Sequence, residues 1–243
     1  MLLNLKRWFA ASPHHAQGSL TAVRHWAQAR DGQFRAVHDG DGFVIDGRSG
    51  QTAWRMEWGP SQRSYVAGRE LRLRAELGVA ADLSLLVMNR ALQESMESAV
   101  FEQYVEGVQT RIDEQTPPEM RWLVMFPKLA RQEMGCLHEN FVGVASSKIW
   151  LAQWIDGSLC AALAGQALEA AHPMVLMVGR GRLVLRTRLD EASEARLEAW
   201  LKVFETAIRE ARRVANHLSA VQGPSTQPSL WSSTAATVEE AKA

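Results

Sequence analysis

The chain has 243 residues, with 27 basic against 27 acidic side chains and a formal charge of +0. A composition 47% hydrophobic and 22% charged excludes a disordered or fibrous chain. The even charge also excludes a general nucleic-acid binder, because neutralising phosphates needs a surplus of Lys and Arg. Within that balance, 22 of the basic side chains are Arg, and 9 Trp stand against 2 Tyr.

Residues 1–17 read as a short amphipathic arm. Leu2, Leu3, Leu5, Trp8 and Phe9 beside Lys6 and Arg7 suit weak contact with a membrane surface. Asn4, Lys6 and Arg7 interrupt the apolar run that a secretory signal requires, so the expected location is cytoplasmic. No stretch approaches the roughly 18 apolar residues that cross a bilayer.

Ser19 is placed to cap a helix through about Ala29. Beyond Asp31-Gly32 the period changes to alternation. Phe34, Val37 and Phe43-Val44-Ile45 read as short strands, separated by turns at Asp39–Gly42 and Asp46–Gly50. Trp54, Met56 and Trp58 then share one face of a strand, with Arg55 and Glu57 on the other. From Arg69 to Leu77 the alternation is strict, and Leu83 to Met88 reads as a strand covered on both faces. Asn89 is a candidate cap for a helix to about Glu106. Thr116-Pro117-Pro118-Glu119 has the form of a capping box, with Glu119 as the cap partner, and Pro127 ends that helix. Phe141 to Ala145 is a candidate strand, and residues 148–169 read as one or two helices broken near Asp156-Gly157, with a strand over Ile149 to Trp154 as the alternative. Met174–Val178 and Leu183–Leu189 form a hairpin. A final helix from Asp190 to about Leu218 carries an apolar seam, which packs in the same chain or, alternatively, forms a homodimer.

These elements predict an α+β fold of antiparallel strands with packing helices. Residues 18–218 form a single domain, with 18–88 mainly β and 89–218 mixed, and 219–243 form a disordered tail containing a Leu230-Trp231 pair. The strands make one sheet or two.

Glycine-rich phosphate loops, a nucleophile elbow, a zinc pattern and a calcium loop are all missing, so no cofactor, metal or catalytic residue is assigned. Cys136 and Cys160 read as small buried hydrophobes. The remaining signal is arginine on the polar face of several strands. Arg63 and Tyr65 in the loop after Trp58, with Arg72, Arg74, Arg186 and Arg188 on strands, form a candidate site for a small anionic ligand, since guanidinium forks pair two-point with carboxylate or phosphate. The simpler reading is a solvated sheet face with cross-strand Arg–Glu pairs. The leading functional expectation is a non-enzymatic cytoplasmic module that binds an unidentified protein partner. The alternative is a binder of, or enzyme acting on, a small anion.

Overall fold

Strands that alternate apolar and charged residues join with continuous apolar strands in one antiparallel sheet of eight strands. The computed structural model describes residues 13–37, 41–105, 116–166 and 168–222. Helix α1 (Pro13–Gln28) leads to β1 (Gln33–Ala36), β2 (Phe43–Ser49), β3 (Thr52–Pro60), β4 (Arg69–Glu76) and β5 (Leu85–Asn89). Helices α2 (Arg90–Val105) and α3 (Pro118–Met125) follow, then a 3-10 segment (Arg131–Leu137), β6 (Phe141–Ala145), α4 (Lys148–Ile155) and α5 (Ser158–Ala164). The hairpin of β7 (Met174–Gly179) and β8 (Arg182–Arg188) precedes α6 (Glu194–Gln222). The strand order is β1-β2-β3-β4-β8-β7-β5-β6, so the late hairpin sits between β4 and β5 and joins early and late strands into one sheet. The fold is α+β, as expected. The β7–β8 hairpin turns on Arg180-Gly181, where both residues have positive φ (53° and 75°), the twist that a two-residue hairpin turn requires.

One face of the sheet is wholly covered. Leu71, Leu73, Leu85, Leu176, Leu183 and Leu185 point into it with 0% exposure, under α1, α4, α5 and α6. Each such side chain contributes about 1.5–3 kcal/mol when removed from water. Helix α6 buries Trp200 and Val203 beside Leu197, Leu201 and Phe204, a stripe wide enough to lie on neighbouring helices and strands of its own chain. Trp54, Trp150, Trp154 and Trp200 are buried in this core and Trp26 and Trp58 pack against it, and the Trp154 indole N–H donates to the Ala207 carbonyl at 2.9 Å.

The other face is divided. Over β5, β6 and β7, helices α2 and α3 bury Leu86, Met88, Val142, Val144 and Val175 with their own Leu92, Met96 and Leu123. Over β2, β3, β4 and β8 no described helix is packed on the sheet except at the boundary, where the loop after β3, held by Glu119 of α3, closes over Glu70, and most outward positions are charged. One register line crosses both halves, through Arg35, Val44, Glu57, Arg72 and Arg186 and then Val175, Met88 and Val142.

Several local expectations need correction. Helix α1 starts at Pro13, not Ser19, with proline at an end where its missing N–H costs nothing. The Asp46–Ser49 stretch continues β2 instead of turning; the Trp54 ring lies over Gly47, where a Cβ would be 2.3 Å from it, so this glycine serves cross-strand packing. Asn89 caps no helix, because its side chain accepts from the Met174 N–H and donates to the Ala170 carbonyl, tying β5 to the chain entering β7. Helix α3 has Pro117 at its N-cap and no side-chain cap bond, so the capping box does not form. Helix α6 begins at Glu194, where the Ser193 hydroxyl accepts from the Arg196 N–H. Cys136 and Cys160 are not independent thiols: they form a disulfide linking the 3-10 segment to α5 across 24 residues. Of the arm expected over 1–17 and the tail expected over 219–243, residues 13–17 belong to α1 and 219–222 to α6, and residues 1–12 and 223–243, with Leu230-Trp231, lie outside the described residues. No helix among the described residues is long and apolar enough to cross a membrane.

Candidate functional site

Where the covered and open halves meet, the structure gathers four of the six arginine and tyrosine positions expected to bind an anion. The loop from Pro60 to Arg69 carries Arg63 and Tyr65, β4 carries Arg72, and β8 carries Arg186 directly opposite Arg72. Helix α3 brings Glu119 down onto them, and β4 adds Glu70. Both carboxylates are 0% exposed.

Glu119 Oε1 accepts from Arg63 Nε at 2.6 Å and from the Tyr65 hydroxyl at 2.5 Å. Its Oε2 is buried with no hydrogen-bond partner among the described residues. Glu70 Oε1 accepts from Arg186 Nη1 at 2.5 Å, while Oε2 accepts from the Gln62 N–H at 2.8 Å and lies 3.5 Å from Arg72 Nη1. Arg72 Nε lies 3.3 Å from Glu57 Oε2, and the other Glu57 oxygen pairs with Arg74. Each buried carboxylate is thus met by cations and donors, the condition under which a buried charge is tolerated at all.

The electrostatics follow from burial and neighbours. Burial, then the charge of Glu119 and the hydrogen bond to it, holds the Tyr65 hydroxyl far above its ordinary range, so Tyr65 remains a donor. For Arg63, burial opposes the charged form, but the charge and hydrogen bond of Glu119 outweigh it and the pKa rises. For Arg72 burial wins, and its pKa is lowered despite Glu70 and Glu57.

Arg74 joins only through Glu57, and its side chain is 45% exposed. Arg188 is separate in its bonding: it pairs with Asp190 at 3.5 Å at the end of β8. Further out, Asp46 accepts from Arg55 Nε at 2.6 Å and pairs with Arg35; the Arg55 bond is the main cause that holds its carboxyl below the usual range. Arg182 pairs with Glu76 at 2.7 Å. The open half therefore carries Arg35, Arg48, Arg55, Arg74 and Arg182 toward solvent, against Asp46, Glu57 and Glu76. A depression of 330 Å³ on it is lined by Arg55, Arg74, Arg182, Asp46, Glu76 and Trp54, among others.

Sequence reasoning missed Glu70 and Glu119 as the centres of this network. Glu70 was visible as the polar residue beginning the alternation of β4. Glu119 was concealed by a local pattern that has another meaning elsewhere. Among the described residues no group of three or more His, Cys, Asp or Glu side chains could hold a metal ion.

No protein-family profile matches the chain, and no curated protein matches it in sequence. Among solved structures, the crystal structure of the mycobacterial trehalose monomycolate transport factor A is similar at a TM-score of 0.45 and 9% identity, covering 82% of this chain and 94% of that one. Likeness at that level carries no argument about activity.

Proposed function

We propose that the chain is a non-enzymatic binding module that engages an acidic segment of a protein partner through the open half of its sheet. The observation that supports this reading is the divided face: α2 and α3 cover one half, while the other presents arginines in excess of acids on a rigid antiparallel frame. Its outer arginines, Arg55, Arg74 and Arg182, are 42%, 45% and 53% exposed and can change partners at little cost. The buried network around Glu70 and Glu119 borders them on the same face, and its cations are already taken by internal carboxylates. Such a surface favours encounter with an acidic partner through its field.

A photo-crosslinking residue placed at Ala53 or Arg74 tests this against one at Ile149 on α4. Both face positions should join the same partner through an acidic stretch mapped by mass spectrometry, and position 149 should not. Equal yields from all three positions would remove the assignment.

The 330 Å³ depression, with three arginines on its walls, supports the second reading, a small anionic ligand on the same face. Thermal-shift screening of phosphorylated metabolites and nucleotides separates the two. A ligand at 100 times its dissociation constant adds about 2.7 kcal/mol of stability, and a flat response leaves only the protein partner.

The Cys136–Cys160 disulfide favours action in an oxidising compartment over the cytoplasm inferred from composition, because such bonds persist where thiols are not kept reduced. Thiol trapping of the chain in its native cells decides this: a blocked pair supports the oxidising compartment, and two free thiols return the protein to the cytoplasm.

A further inference from the structure

A second concave region lies away from the open half-sheet, between the start of α2, the edge strand β6 and the 3-10 segment. It is a groove of 400 Å³. Its polar lining is Arg90, Gln93, Lys128, Arg131, His138 and Glu139, above an apolar floor that includes Phe141 and Val142. Three permanent cations thus face one acid, and Glu139 is 72% exposed. A larger groove of 690 Å³, at the start of α6, differs in kind: Arg188 and Arg196 there face Glu169, Asp190 and Glu191, so its charge is matched internally.

The basic groove also has donors to spare. Gln93 is 5% exposed and lines the groove, and its side-chain amide makes no hydrogen bond among the described residues, so it is open to a ligand there. Arg131 is exposed and has no ion-pair partner among them. Arg90 uses Nε and Nη2 on the carbonyls of residues 138, 139 and 141, which leaves Nη1 without a bond. Lys128 pairs with Glu97 at 2.6 Å across the rim. Helix α2 begins at the groove with Arg90 and has no acidic residue in its first turn, so its N-terminal N–H groups add positive potential uncancelled by a carboxylate.

We propose that this groove binds the phosphate group of a small phosphorylated ligand. A phosphate dianion offers three oxygens to donors arriving from α2, the chain after α3 and the 3-10 segment, more acceptors than a carboxylate has. The apolar floor beside the cations fits an ester body better than a bare ion. The assignment is independent of the open half-sheet, since no lining residue is shared.

Titration of the full chain with inorganic phosphate and with phenyl phosphate, followed by calorimetry and by the NMR signal of the Gln93 side-chain amide, tests it. Both probes should bind saturably, the ester more tightly, and R131Q should weaken both by about tenfold or more. R209Q, on the exposed side of α6, should match the parent protein. No saturable binding up to about 10 mM, or binding unchanged in R131Q, would overturn the site. An ester no tighter than inorganic phosphate would overturn the ester assignment. Co-sedimentation with phosphatidic-acid vesicles that R131Q abolishes would overturn a soluble ligand in favour of a lipid headgroup.

Discussion

The two halves of the divided sheet face have the same strand geometry and opposite chemistry. Over β5, β6 and β7 the outward side chains are Val, Leu and Met buried by α2 and α3, whereas over β2, β3, β4 and β8 most are Arg, Asp and Glu, exposed except where the two halves meet. The register line that includes Arg72, Arg186, Val175 and Met88 passes from one to the other between β8 and β7. Ion pairs far from the seam exchange with solvent and contribute little. At the seam the same residue types are enclosed by α3 and the loop after β3, and the carboxylates of Glu70 and Glu119 depend on their partners. What an arginine does here is decided by what lies above it. Trp122 of α3 marks the covered side, where its ring fills the space that a side chain at position 179 would need.

The sharpest way to break the comparison is Arg186→Met, which strips Glu70 of a buried cation. It should cost about 3–5 kcal/mol in urea unfolding. Met88→Ala on the covered half should cost about 2–5 kcal/mol through lost transfer energy and a cavity. Arg74→Gln, at the partly exposed pair with Glu57, should cost less than about 1 kcal/mol. A cost for Arg74→Gln equal to that for Arg186→Met would erase the distinction between seam and open face.

The smallest expected effect concerns His172, whose ring bonds the Thr187 hydroxyl at 2.9 Å. Burial, then the charges of Arg188 and Arg196, lowers its pKa in the folded chain. The unfolded chain then holds more protons, so His172 opposes folding increasingly as pH falls below about 6.5 toward the folded value. Relative to His172→Asn, the parent protein should lose stability between about pH 7.5 and pH 5.5, by comparison of urea midpoints. Glu205 is shifted upward by burial and acts with the opposite sign, but it is present in both proteins and drops out of the difference.

Much of this architecture was legible in the chain because the period-2 patterns of β3, β4 and β8 and the wide stripe of α6 are local signals. The missing parts are long-range. Thr116-Pro117-Pro118-Glu119 has the spacing of a capping box, but Glu119 is bound by Arg63 and Tyr65, which lie 56 and 54 positions away. The Asp46-Gly47 pair looks like a turn unless the Trp54 ring above it is known. The disulfide depends on the path of β6 and α4 between its two cysteines, which spacing alone does not convey. The arginines and their cross-strand Glu partners were legible on the strand faces, but not the burial of Glu70, and Glu119 reads as a cap partner instead of the partner of Arg63.

The central claim is that the open half-sheet is a binding surface and the buried seam at its border a support. The triple variant R55E/R74E/R182E changes only exposed positions of that surface. Its affinity for the partner identified by crosslinking should fall by at least about tenfold, with its urea midpoint close to that of the parent. Unchanged affinity in the folded triple variant would contradict the account.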